Sequence, residues 1–116
     1  MSSVLLIGYE PQAIPGIDAQ GLRAALDKEM ARFDEHGIDG RMALIAFDGE
    51  AEATLVAALT ERPWDVVVVG AGIRKVEQLL PLFEQILNLV HRHAPQAAIA
   101  FNTRPDDTVE VALRRL

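Results

Sequence analysis

The chain has 116 residues, half of them hydrophobic and about a quarter charged, with a formal net charge of −6 and no cysteine. One domain of that size buries a core without disulfide or metal staples, and the missing cysteines exclude disulfides, thiolate metal sites, iron–sulfur clusters and cysteine nucleophiles. The acidic balance, with no basic stripe or aromatic-interleaved patch to offset it, argues against nucleic acid and anionic lipid as partners.

The first element is the apolar run Val4–Leu5–Leu6–Ile7, stopped by Gly8. It follows Met1–Ser2–Ser3, which lacks the basic start and long apolar stretch of a secretory signal. No stretch reaches the roughly 20 apolar residues of a membrane span. The expected location is the cytoplasm.

After Gly8 comes a connection of about ten residues carrying Tyr9, Glu10, Pro11, Pro15 and Gly16. That exceeds the roughly two to six residues usual between a strand and a helix. Long ordered loops are often functional, and prolines also simply stiffen a surface excursion. Asp18 is the expected N-cap of a first helix whose apolar residues Leu22, Ala25, Leu26, Met30 and Phe33 recur at helical spacing. His36–Gly37 is its stop.

Met42–Ala43–Leu44–Ile45–Ala46–Phe47 is the second apolar run, closed by Asp48–Gly49. Glu50–Ala51–Glu52 then opens an Ala-rich helix with acids at its positive end, which must stop near Arg62 because Pro63 follows. Val66–Val67–Val68–Val69 is the third run, stopped by Gly70–Ala71–Gly72. An irregular turn is expected over Lys75–Gln78, then a helix from about Leu79 to His93 with Pro81 in its first turn. Val76, Leu79, Leu80, Phe83, Ile86, Leu87 and Val90 form its apolar stripe, and Ala94–Pro95 ends it. Ala97–Ala98–Ile99–Ala100–Phe101 is the fourth run, stopped by Asn102. A last helix is expected from about Asp106, its cap, to Leu116.

None of the four runs alternates apolar with polar residues. Strands apolar on both faces belong in a parallel sheet covered on both sides. The order β-α-β-α-β-α-β-α with right-handed crossovers predicts a single three-layer α/β/α sandwich, a flavodoxin-like or Rossmann-like fold with a four-stranded parallel sheet in order 2-1-3-4.

In such sheets ligands bind beyond the carboxyl ends of the strands where the strand order reverses, here between the first and third strands. The candidate ligand-binding residues are therefore Gly8, Tyr9 and Glu10 after the first strand, Gly70, Gly72 and Arg74 after the third, and Asn102, Thr103 and Arg104 after the fourth. Two glycines after a buried strand let backbone N–H groups approach an anion, and Arg74 could clamp it. Gly70–Ala71–Gly72–Ile73–Arg74–Lys75 begins like a dinucleotide fingerprint, but Lys75 stands at its sixth position and the motif follows the third strand, not the first. A plain tight turn is the favoured account of these glycines. Asn102 and Thr103 could likewise be satisfying loop backbone, with Asp106–Asp107 capping the last helix and Asp48 turning with Gly49.

The only serines are Ser2 and Ser3, there is no nucleophile elbow, and His91 and His93 do not share a helix face. Serine hydrolysis and zinc chemistry are excluded on those grounds, and no metal or cofactor is required by the sequence. Catalysis would fall to Tyr9, Glu10, Asp48, Arg74, Lys75, Asn102 and Arg104, which contain no evident base–nucleophile pair.

Two resemblances follow from these residues. Asp65–Val66–Val67–Val68–Val69–Gly70–Ala71–Gly72–Ile73–Arg74, with Leu82–Phe83–Glu84, Asn88, His91, Ala94–Pro95, Phe101–Asn102–Thr103, Pro105 and Asp107–Thr108, resembles a small group of bacterial α/β proteins of similar length. No activity is established for that group, so a fold and no function is implied. The element order and the Asp–Val–Val–Val run also resemble response-regulator receiver domains. The phosphorylatable Asp is replaced by Gly70 or Ala71, the acid pair by Gly8–Tyr9–Glu10, and the fifth strand with its lysine does not occur. These departures argue against phosphotransfer and leave a receiver-like interaction module open.

Two functions remain. One is a small-molecule or anion-binding domain with its site at the carboxyl ends of strands one, three and four. The other is a non-catalytic homodimerising or receiver-like interaction module, its contact made by the helix at 79–93. Leu82 and Leu89 lie beside that helix's main stripe, and Val109, Val111 and Leu113 could join it.

Overall fold

A computed structural model describes all residues, Met1–Leu116. The first strand, β1, spans Ser3–Tyr9 and pairs on both sides, because its residues are apolar toward either face of the sheet. Its neighbours are β2 (Asp39–Ile45) and β3 (Val66–Val69), and β4 (Ala98–Phe101) completes the sheet beyond β3. All pairings are parallel and the order is β2-β1-β3-β4, as the sequence predicts.

Five helices connect and cover these strands: α1 (Ala19–Glu35), α2 (Ala51–Thr60), the single turn α3 (Ala71–Arg74), α4 (Leu80–His93) and α5 (Thr108–Arg115). Alternation along the strands divides the core in two. Leu5, Ile7, Val67 and Val69 pack with Leu55, Leu59, Trp64, Ile73, Leu82 and Ile86 on the α2/α4 side. Val4, Leu6, Val66 and Val68 pack with Leu26, Phe33, Val109, Val111 and Ala112 on the α1/α5 side. At about 25 cal/mol per Å², each layer contributes through tens of square ångströms of burial per side chain.

Helix signals read from the sequence recur in the structure. The Asp18 carboxylate accepts from the Gly21 N–H at 3.1 Å, and α1 ends where Gly37 takes φ +69°. Other boundaries shift. β1 extends through Gly8 and Tyr9, so both are strand residues rather than loop. β2 begins at Asp39 and stops before Phe47, which is 52% exposed. The irregular turn expected over Lys75–Gln78 runs into a 3-10 turn at Glu77–Leu79, and the unexpected element is the single helical turn α3 just before it.

The last helix starts two residues later than expected, after a 3-10 turn over Pro105–Asp107. Asp107, not Asp106, holds the N-cap position of α5, and its carboxylate serves the preceding 3-10 turn rather than the helix. It turns back to accept from the Thr103 and Arg104 N–H groups and from the Thr103 hydroxyl. Burial pushes the Asp107 carboxyl up, but those hydrogen bonds from Thr103 and Arg104 outweigh it and the pKa falls below the ordinary value.

Burial on both faces holds for β1 and β3 only. β2 and β4 are the sheet's edges, and Ile99 and Phe101 of β4 remain partly open to solvent. On α4 the inward positions are Leu82, Ile86, Leu89 and Val90, whereas Leu80 and the preceding Val76 are exposed. The helix is thus rotated relative to the expected stripe, and Leu82 and Leu89 are core. Val109 and Val111 are also buried, under the α1/α5 layer.

One charged group lies inside that layer. Glu29 is 2% exposed, accepts from Arg32 Nη1 at 2.7 Å and from the Val109 N–H at 3.2 Å, and so ties α1 to α5. Arg32 reaches on to Glu110 at 2.7 Å. These partners leave no buried side-chain polar atom unpaired, the condition for a buried carboxylate to be tolerated.

Candidate functional site

The strand order reverses between β1 and β3, and above that seam lies a partly open cavity of about 180 Å³. Its floor is Leu6 and Gly8 of β1 and Gly70 after β3. One wall is Leu22 and Leu26 of α1, the other Ala71, Gly72, Asn102 and Pro105, and Ile14 and Ile17 of the long connection close over it. The cavity lies between α1, which packs on β2, and the segment leading into α5, which packs on β3 and β4. The glycines matter sterically. A Cβ at Gly70 would stand 3.2 Å from the Ile7 carbonyl oxygen, and one at Gly8 would stand 3.1 Å from Leu44 Cδ2.

Five of the nine sequence candidates line this cavity: Gly8, Tyr9, Gly70, Gly72 and Asn102. The polar ones are committed elsewhere. Asn102, 3% exposed, accepts from the Ala71 N–H at 2.8 Å and donates to Thr108 Oγ1 at 3.0 Å, bracing the α3 turn against α5. The Tyr9 hydroxyl accepts from the Phe47 N–H at 3.1 Å and holds the segment after β2.

The other four candidates lie outside it. Arg74 folds back under β4: Nε donates to the Val69 carbonyl at 3.3 Å, Nη2 donates to the Asn102 carbonyl, and the guanidinium lies 5.0 Å from the Phe101 ring centroid. Lys75 donates to the Thr103 carbonyl at 2.8 Å. Thr103 is bound to Asp107, and Arg104 forms an exposed pair with Asp106 at 2.6 Å. Glu10 borders a separate polar cleft with Gln20, Arg23 and Asp27. The cations around the reversal point are therefore aimed at backbone carbonyls and carboxylates, and they do not converge on one anion position.

Asp48 accepts from the Glu50 N–H at 2.8 Å, a turn at the start of α2. No three His, Asp or Glu side chains gather where they could share a metal ion. The residues that sequence reasoning missed are the apolar walls, Leu6, Ile14, Ile17, Leu22, Leu26 and Pro105. Ile14 and Ile17, two apolar side chains in an otherwise polar and proline-rich connection, were the available signal.

Fold and cleft together define an open parallel α/β domain of the flavodoxin-like kind with an apolar cavity at its strand reversal. No protein-family model, curated protein or solved structure matches the chain. No helix is long and apolar enough to cross a membrane.

Proposed function

We propose that the chain is a small-molecule-binding domain whose ligand is a compact, largely apolar molecule seated between β1 and β3. The observation that carries this reading is the cavity itself, walled by Leu6, Ile14, Ile17, Leu22 and Leu26 at the strand reversal. Pockets of this kind are the usual sites in such folds. An apolar occupant is favoured over an anion because Arg74 and Lys75 already donate to carbonyls.

Size narrows the class. An apolar cavity of roughly 150 Å³ accepts benzene, so about 180 Å³ fits one aromatic ring with a small substituent or a short branched chain. A polar end would lie at the open mouth beside Ile17 and Gly72, which are exposed. Eight or so buried non-hydrogen atoms at intermediate ligand efficiency give a Kd on the order of 0.1–1 mM for a minimal fragment.

The test is a titration with indole and phenol followed by amide chemical shifts, with inorganic phosphate in parallel. Saturable shifts centred on Gly8, Ile17, Leu22, Leu26 and Gly70 are expected, abolished by the space-filling Leu22→Phe. Shifts that saturate with phosphate around Arg74, or no saturable response to either fragment, would sink the reading.

A further inference from the structure

The sheet has two open edges, and they differ. β2 carries Asp39 and Arg41, joined to Arg62 in an ion-pair chain. Charged side chains on an edge strand discourage pairing with another chain. β4 has no such protection: from Ala94 to Thr103 there is not one ionisable residue, in a chain of net charge −6.

The register of β4 on β3 and the Ala98 N–H bond to the Asp65 carbonyl turn the backbone groups of Ala98 and Ala100 inward. By alternation the N–H and C=O groups of Ile99 and Phe101 point out from the edge. Their side chains lie on the α4 side of the sheet, where α4 does not cover them. Leu80 is 59% exposed, Phe101 40% and Ile99 36%, and Phe83 packs edge-on against Phe101 with centroids 5.9 Å apart. The result is a continuous apolar strip running along an unpaired strand.

We propose that this strip and edge receive a second copy of the same chain, β4 against β4 in antiparallel register about a twofold axis through Ala100. In that register Ile99 of one copy faces Phe101 of the other, each exchanging both backbone hydrogen bonds. A single strand is thus its own complement, giving four bonds and two apolar cross-strand pairs.

Charge fits the same symmetry. The strand residues themselves bring no like charges together, and the nearest cation, Arg74 over Phe101, is already bound to the Val69 and Asn102 carbonyls. Antiparallel apposition also brings His91, which shares its helix face with Glu84 and Leu87, alongside the half of the other copy's α4 that carries Glu84, whereas Arg92 faces Glu52 of its own chain.

Area sets the strength. With about 200 Å² per whole large apolar residue, the exposed parts of Leu80, Ile99 and Phe101 amount to about 250 Å². Stable dimers bury about 800 Å² per partner. Adding the strand backbone and the flanks of Phe83 and Leu87 still leaves a small interface, so the dimer dissociates on dilution through the micromolar range.

The experiment is sedimentation velocity on the full chain from about 5 to 500 μM, paired with amide hydrogen exchange at both extremes. The expected mass rises from monomer to dimer with concentration. The amides of Ile99 and Phe101 slow at high concentration while those of β2 do not. Ile99→Lys and Leu80→Lys each move the midpoint upward at least tenfold, and Leu113→Lys, on α5, leaves it unchanged. Circular dichroism checks that the variants fold; should Ile99→Lys fail to fold, Leu80→Lys and the exchange pattern decide. A monomer at every concentration overturns the proposal. So does a dimer insensitive to Leu80→Lys, or one whose new protection falls on β2 or on helix amides alone.

Discussion

Replacing Asn102 by alanine separates a bracing role for this side chain from a ligand-binding one. Its amide links two elements, accepting from the Ala71 N–H and donating to Thr108 Oγ1. Truncation leaves the Ala71 N–H without its partner, at a cost of about 1–3 kcal/mol for a buried donor. Ala71 is itself only half-buried, which favours the lower part of that range. Thr108 keeps its bond to the Pro105 carbonyl at 2.7 Å, so its loss is limited to about 0.5–1 kcal/mol. Lost packing of a side chain that is 3% exposed adds about 1 kcal/mol. The expected destabilisation is therefore about 2.5–4 kcal/mol, a large share of the roughly 5–15 kcal/mol available to a domain. Urea unfolding followed by fluorescence of Trp64, the single tryptophan, measures it, with an unchanged m-value. Asn102→Asp divides the bridge, keeping the acceptor for Ala71 and losing the donor to Thr108. A loss below about 0.5 kcal/mol for Asn102→Ala would refute this reasoning, and Asn102 would then be free to serve a ligand.

Arg74→Ala is expected to lower stability by about 1–3 kcal/mol, through two backbone hydrogen bonds and the stacking on Phe101. It should leave fragment binding in the cavity unchanged; a tenfold loss of affinity would return Arg74 to the site. Gly40→Ala puts a Cβ 2.9 Å from Phe33 Cβ and 2.8 Å from its Cγ, in a ring that is 0% exposed. Overpacking of that kind costs about 1–3 kcal/mol in thermal or urea unfolding. Acid stability should depend on Glu110. The hydrogen bond from Arg32 holds its carboxyl below the ordinary 4.5. A depressed folded-state pKa contributes stability that is fully present above 4.5 and is lost as pH falls through the folded value. Glu110→Gln should therefore flatten the urea midpoint against pH below about 4.5 and lower it at neutral pH. An unaltered acid limb would show that the Arg32 pair has no energetic weight, as half-exposed pairs sometimes do not.

The sheet was legible because its signal is local. Four apolar runs with glycine or polar stops mark four strands, and crossover handedness then leaves few orders to choose from. Which strands are doubly buried was not legible run by run, since Ala98–Phe101 reads as apolar as Val66–Val69 while only the latter has neighbours on both sides. The rotation of α4 was hidden for a similar reason. Leu80, Leu82, Leu87 and Leu89 are chemically alike, and packing against α2 and α3 decides which of them face inward.

The site was legible in place but not in character. Strand reversal locates the seam between Gly8 and Gly70, and both do line the cavity. Arg74, Asn102 and Thr103 look available in sequence because their partners are backbone groups about 30 residues away or turns that no motif announces. Trp64, unremarked in the sequence, is fully buried, its indole N–H donating to the Ala58 carbonyl at 2.8 Å. Glu29 likewise carries no sequence signal, since its partner, the Val109 N–H, lies 80 residues on.

That last contact bears on how the chain matures at the ribosome. The layer formed by α1 has no lid until α5 arrives, and a carboxylate in the first helix waits for an amide made 80 residues later. Until then Leu26, Phe33 and the outer faces of β1 and β3 stand wet, and Glu29 keeps its water. The opposite layer, completed by α2 and α4, can consolidate earlier. Nascent chains stalled before α5 should therefore be half-sealed, protected from proteolysis on one side of the sheet and vulnerable on the other.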